Sequence, residues 1–216
     1  MRAPWLLLLV PLLVAKTPTR TQTPARTPTQ TPTQTPTQTP PTASVTPTPA
    51  SRVVARAREE VARAVSYDPS YFRLKYPGGD PDASVGVCTD VVIRSYRAVG
   101  IDLQKLVHED VLRAPRAYVP WVTRPDANID HRRVGPMLVY LRRHARSLPP
   151  NAEYAPGDIV VISFTACAAC SPQHVGVVSD KIGPRGIPLL IHNMGPTPRE
   201  DDTLDAWTHL GHFRLL

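Results

Sequence analysis

An α+β domain is expected over residues 51–216, with N-terminal helices packed on a C-terminal antiparallel sheet. Three features of the sequence predict it. Apolar residues recur at helical spacing as far as about residue 147. Beyond residue 156 the chain turns to short β-branched runs. Hairpin-length Gly/Pro connections join those runs, which suits antiparallel pairing. Helices first and strands afterwards define the α+β class, and the length suffices for one domain with a real core.

The first 50 residues stand apart. Met1-Arg2 leads into the apolar run Trp5-Leu6-Leu7-Leu8-Leu9-Val10-Pro11-Leu12-Leu13-Val14-Ala15. That run is short for a bilayer span and reads as a secretory signal over residues 1–15, cleaved after Ala15 or retained as a short anchor. The expected location is therefore secreted, periplasmic or in the cell envelope, with membrane contact only through such an anchor. Residues 16–50 are a Thr/Pro/Gln-rich linker in which Thr-Pro-Thr-Gln recurs at Thr27, Thr31 and Thr35. With almost nothing to bury, it is expected to be extended and solvated, reaching up to ~100 Å. Of the net charge of +7, this region carries Arg2, Lys16, Arg20 and Arg26 with no acid, leaving 21 basic and 18 acidic residues for the domain. No basic stripe with interleaved aromatics is present, so nucleic acid is not an expected partner.

In the domain, Ser51 is a candidate cap for a helix to about Val65, with Val54, Ala57, Val61 and Val65 on one face. Tyr71 to Tyr76 is followed by Pro77 to Asp82, which reads as a loop rich in Pro and Gly. The sequence Gly86-Val87-Cys88-Thr89-Asp90 then enters a helix whose apolar positions are Val91, Val92, Tyr96 and Val99, closed by Gly100. Asp102 to about Leu112 predicts a short helix or a mixed turn. Residues 114–130 are irregular, and Pro136 suits the start of a helix to about Ser147. Pro156-Gly157-Asp158 is a turn. Strands are expected at Ile159–Phe164, His174–Ser179 and Leu189–Asn193, and the segment from Trp207 to Leu216 should add another.

Cys88 is the chemical focus. First-turn N–H groups and the helix dipole favour a thiolate there, which makes Cys88 a candidate nucleophile if a histidine lies near in space. A buried structural thiol is the alternative. His174 opens one strand and His192 closes the next, so both fall toward the same sheet edge. Cys88 would then attack, His174 would act as base and acid, and His192 would orient His174. Cys167-Ala168-Ala169-Cys170 with His174 fits either a local disulfide or a zinc site. Asp90 is a candidate cap of its own helix and also a candidate substrate contact. His131 sits in a stretch dense in polar groups and is a second candidate contact. Arg132-Arg133 reads as a solvated face.

Pro156-Gly157-Asp158-Ile159-Val160, His174-Val175-Gly176-Val177-Val178 and Ile191-His192-Asn193, downstream of a helix-start Cys88, resemble the secreted cell-wall cysteine peptidases of the NlpC type. More closely, the stretches Tyr76–Val107, Arg124–Val134 and Gly157–Trp207 resemble a domain-of-unknown-function family of bacterial envelope proteins related to that group. The resemblance implies a papain-like core with Cys88, His174 and His192 as a Cys-His-His triad and no cofactor or metal. Tyr76 resembles the tyrosine that precedes the nucleophile in those enzymes. The NlpC-type cysteine usually sits in Asp-Cys-Ser-Gly, where this chain has Val87-Cys88-Thr89-Asp90. The implied protein is an exported monomeric hydrolase that cuts an amide bond in peptidoglycan stem peptides or another peptide-like envelope substrate. A non-catalytic envelope-binding module on the same fold and a zinc protein using Cys167, Cys170 and His174 are the alternatives.

Overall fold

The computed structural model describes residues 46–166 and 170–216. The expected leader, all but the last residues of the linker, and Cys167 lie outside the described residues. Four helices precede a six-stranded sheet, as the sequence pattern predicts. Helix α1 (Pro49–Ala62) starts earlier than expected, because the Thr48 hydroxyl, not Ser51, accepts the Ser51 N–H and caps it. Two-residue strands β1 (Ser66–Tyr67) and β2 (Val85–Gly86) pair in parallel just before helix α2 (Cys88–Arg97). Asp102 caps helix α3 (Leu103–Arg113) through the Gln104 N–H. Helix α4 (Val134–His144) begins two residues before Pro136. It also ends sooner than its apolar pattern suggests, because Arg146–Leu148 leave it to become strand β3.

Strands β4 (Ile159–Ser163), β5 (His174–Ile182), β6 (Pro188–Asn193), β7 (Pro198–Asp201) and β8 (Thr208–Arg214) complete the main sheet. Its order is β3-β8-β4-β5-β6-β7, and every pairing is antiparallel. Strands β3 and β7 escape the hydrophobic pattern: Pro-Arg-Glu-Asp carries no apolar alternation to mark a strand.

Helix α2 is the hub. Residues Cys88 to Tyr96 are all buried, between α1 on one side and β5 and β6 on the other. A helix covered all round must satisfy its polar groups internally. Tyr96 does so by donating to the Gly157 carbonyl at 2.7 Å, which ties the helix to the turn before β4. Arg94 pairs with Glu60 of α1 at 2.7 Å and donates to the Pro81, Asp82 and Val85 carbonyls. Past the helix end, Gly100 takes φ +86°, the left-handed conformation its position requires.

The main core lies between the helices and one face of the sheet, where Val91, Val92, Tyr96, Met137, Val175, Val177 and Ile191 meet. Val160, Ile162, Val178, Leu190 and Leu204 form a smaller cluster on the other face. Successive residues of β5 serve opposite clusters, as the period of two demands. Gly176 falls where a Cβ would come within 2.8 Å of the Leu190 side chain, so the strand has no room for anything larger.

Candidate active site

The end of the sheet beneath the start of α2 carries the candidate chemistry. Cys88 is the first residue of the helix, and Val87 is its N-cap. The Val87 N–H donates to Asp90 Oδ2 at 2.8 Å, closing half of a capping box around the cysteine. The backbone N–H groups of Val175, Thr89 and Cys88 itself act to lower the pKa of the thiol. Val175 follows His174 in β5, the strand against which α2 packs. Among the described residues Cys88 and His174 make no direct hydrogen bond.

His174 and His192 occupy one end of neighbouring strands. Those strands are internal to the sheet, so "edge" describes the end of the strands and not a side of the sheet. His174 Nε2 lies 2.9 Å from His192 Nδ1. The chain continues to a group the sequence did not suggest. His192 Nε2 lies 3.0 Å from Asp201 Oδ1, and the Thr203 hydroxyl donates to the same carboxylate oxygen at 2.6 Å. Register explains the contact. His192 pairs with Arg199, and Asp201, two residues on, shares its face at the diagonal position. Phe164 and Trp207 close over the pair, Phe164 stacked on His174 at 5.6 Å and Trp207 edge-on to His192 at 6.2 Å.

Burial sets the protonation states. It pushes the Cys88 thiol up to about 12, more than the backbone donors pull it down, so the thiolate expected from the helix start is not the resting form. Burial, then the neighbouring His192, takes His174 down to about 3. Burial also lowers His192, against the opposing effect of its hydrogen bond to Asp201. The resting site is a neutral thiol beside two neutral imidazoles.

A cavity of about 350 Å³ opens onto Cys88, walled by Tyr67, Tyr71, Val87, Arg132 and Gln173. A polar recess of about 540 Å³ adjoins it, sharing Tyr71, Ile129 and Arg133 and adding Arg124 and Asn128. The other three predicted contacts are placed elsewhere. Asp90 is 1% exposed, and its carboxylate is taken up by Val87 and by Arg132, whose Nε and Nη2 reach it at 3.0–3.2 Å. It is a structural anion, as its capping role implies, and does not line the cavity. His131 is 1% exposed, neutral because burial lowers it to about 3, and also absent from the cavity wall. Tyr76 packs edge-on against His108 of α3 at 5.4 Å; Tyr67 is the tyrosine beside the cysteine.

Arg132 is a second correction: it is no solvated face. Its side chain is 1% exposed, donates to the Ser70 and Asp68 carbonyls as well as to Asp90, and lies over the Phe72 ring. The segment 68–72, one wall of the cavity, is thereby fastened to the start of α2. Of the expected zinc ligands, Cys170 is disulfide-bonded and the His174 Nε2 is engaged with His192.

An α+β domain with a helix-start cysteine, a hydrogen-bonded histidine pair and an adjoining cleft defines the class to which this chain is assigned. The chain belongs to the family described as domain of unknown function (DUF1287), whose model matches residues 54–215. It is 44% identical over 163 residues to the uncharacterized protein YijF of Escherichia coli (strain K12), covering 73% of this chain and 78% of that one. Among solved structures it is similar to one described as similar to lipoprotein, NLP/P60 family, from Staphylococcus aureus, at 15% identity and a TM-score of 0.42. That match covers 83% of this chain, which spans 45% of the length of the solved one.

Proposed function

We propose that the protein is an exported cysteine hydrolase of the papain-like, NlpC type that cleaves an amide bond in peptidoglycan stem peptides or another peptide-like envelope substrate. One arrangement carries the reading: a cysteine at the start of a helix, in the wall of a cavity, on a helix packed against the strand that a histidine opens, that histidine being hydrogen-bonded to a second one.

The chemistry follows from the hydrogen-bond directions. With Nε2 of His174 engaged by His192, Nδ1 is the nitrogen left for the thiol. As the sulfur attacks the substrate carbonyl carbon, the thiol proton passes to His174 Nδ1 and the carbonyl oxygen becomes an oxyanion. N–H groups at the start of α2 are suited to hold that oxyanion. Collapse of the intermediate expels the amine, which takes the proton from His174 and leaves a thioester on Cys88. Water, deprotonated by His174, hydrolyses the thioester and restores the thiol. Because the resting pair is neutral, proton transfer accompanies attack. Catalytic hydrogen bonds are often long before substrate binds and tighten around it, so the mechanism does not require a direct Cys88–His174 bond at rest.

The test is incubation of the full chain with defined stem-peptide fragments, followed by mass spectrometry of the products. Wild type should release a new amine and carboxylate; Cys88→Ala and His174→Ala should release neither while melting within a few degrees of wild type. No cleavage of any wall fraction by wild type would overturn the reading. The neutral, deeply buried Cys88 favours one alternative, a binding module that keeps the cleft without turnover. That alternative predicts equal wall binding by wild type and Cys88→Ala.

A further inference from the structure

The hydrogen-bonded chain does not stop at the second histidine, and its direction can be followed atom by atom. Asp201 is a carboxylate that already accepts the Thr203 hydroxyl at 2.6 Å. As an anion it has only lone pairs to offer, so His192 Nε2, 3.0 Å away, must be the donor. A neutral imidazole has one N–H, which leaves His192 Nδ1 with its lone pair. His174 Nε2, 2.9 Å from that lone pair, must then carry the proton of its own ring. His174 Nδ1 is thereby left as an acceptor.

We propose that Asp201, held by Thr203, is a positioning residue that fixes the tautomers of both histidines and so leaves His174 Nδ1 with the lone pair that the hydrolase reading requires. Without an anion at the end of the chain, the opposite arrangement becomes equally good. His192 Nδ1–H would donate to His174 Nε2, and His174 would turn an N–H toward the thiol, where it cannot take a proton. The edge pairing and the ion pairs of Glu200 hold Asp201 in place. Glu200 accepts from Arg58, Lys181 and Ser179 and so pins the residue next to Asp201. The link to catalysis rests on the hydrolase reading; the tautomer assignment does not.

Two measurements on the full chain test the assignment. Long-range 1H–15N spectra at neutral pH report which ring nitrogen of each histidine is protonated. Wild type should show Nε2–H at both His174 and His192. In Asp201→Asn, whose amide can donate to His192 Nε2, the pair should switch to Nδ1–H or to a mixture. The second readout is alkylation of Cys88 by iodoacetamide, scored by mass spectrometry. It should slow by about a hundredfold in Asp201→Asn, less than the roughly ten-thousandfold loss from the wrong tautomer in a serine protease because the carboxylate is one imidazole further away. Asp201→Glu should recover part of the rate, and thermal melting should stay near that of wild type.

Nδ1–H on His174 in wild type would overturn the proposal outright, even if Asp201→Asn failed to fold. So would unchanged tautomers and alkylation in a folded Asp201→Asn. Nε2–H on both rings in a wild type that cleaves nothing would instead sink the hydrolase and leave the assignment of Asp201 standing.

Discussion

Replacing Asp90 by Asn should destabilise the domain more than any other isosteric change near the site. The Asp90 and Arg132 side chains are 2% and 1% exposed, and three guanidinium–carboxylate contacts of 3.0–3.2 Å join them. The substitution keeps shape and volume, removes the negative charge and turns one acceptor oxygen into an NH2 group facing the donors of Arg132 or Val87. Arg132 is then a buried cation facing the Ser70 and Asp68 carbonyls and the Phe72 ring. Breaking one side of a buried ion pair costs about 3–5 kcal/mol. Divided by a urea m value of about 2 kcal/mol/M, a loss of about 4 kcal/mol lowers the unfolding midpoint by about 2 M. That is a large fraction of the ~5–15 kcal/mol a domain has in all. The assay is equilibrium urea unfolding followed by circular dichroism. The double variant Asp90→Leu/Arg132→Met, which removes both charges, should recover most of the loss. A midpoint within about 0.5 M of wild type for Asp90→Asn would refute the argument that this pair fastens segment 68–72 to helix α2.

Stability should also fall as the pH is lowered through a window set by the buried histidines. His174 and His131 are both lowered to about 3 when folded, against about 6.5 unfolded, so between those values the unfolded chain binds more protons and stability rises with pH. Two such groups give a slope of up to about 2.7 kcal/mol per pH unit, and His131→Leu should roughly halve it in unfolding titrations between pH 6 and 4. The carboxyls of Asp110 and Glu200, held near 2, add their losses only at lower pH. Gly176→Ala should cost about 1–3 kcal/mol in the same urea assay, because its methyl would press on Leu190 in a strand paired on both sides.

Much of this domain was legible in its sequence because the relevant patterns are local. The helical period around Val91, Val92 and Tyr96 marked α2, and β-branched runs marked β4, β5 and β6. The approach of His174 to His192 followed from antiparallel pairing alone. What the sequence hid was long-range. Arg132 sits beside Arg133 in a polar stretch, and only the fold shows that one is buried against Asp90 and the other exposed. Asp201 belongs to a strand with no hydrophobic signature, so its register with His192 could not be anticipated. Tyr76 and His131 failed as cleft residues for a similar reason: which side of a loop faces the cysteine is decided by packing against α3, not by spacing. The expected thiolate failed because the helix-start effect is worth at most about 2 kcal/mol, whereas burial moves a titratable group by several pKa units.

The strand that ends the hydrogen-bonded chain is also the outermost strand of the sheet. Strands β5 and β6 are flanked on both sides, but β7 has β6 alone as a neighbour and is four residues long. Edge segments of this kind detach in local openings far less costly than global unfolding. Each such excursion would carry Asp201 away while leaving both imidazoles seated between their neighbours. Such an opening would give a near-native state in which the histidines lose their proposed proton arrangement without any loss of core. How often it is visited depends on the grip of Arg58 and Lys181 on Glu200. Amide exchange along β7, compared with that along β5, would report the lifetime of the competent arrangement directly.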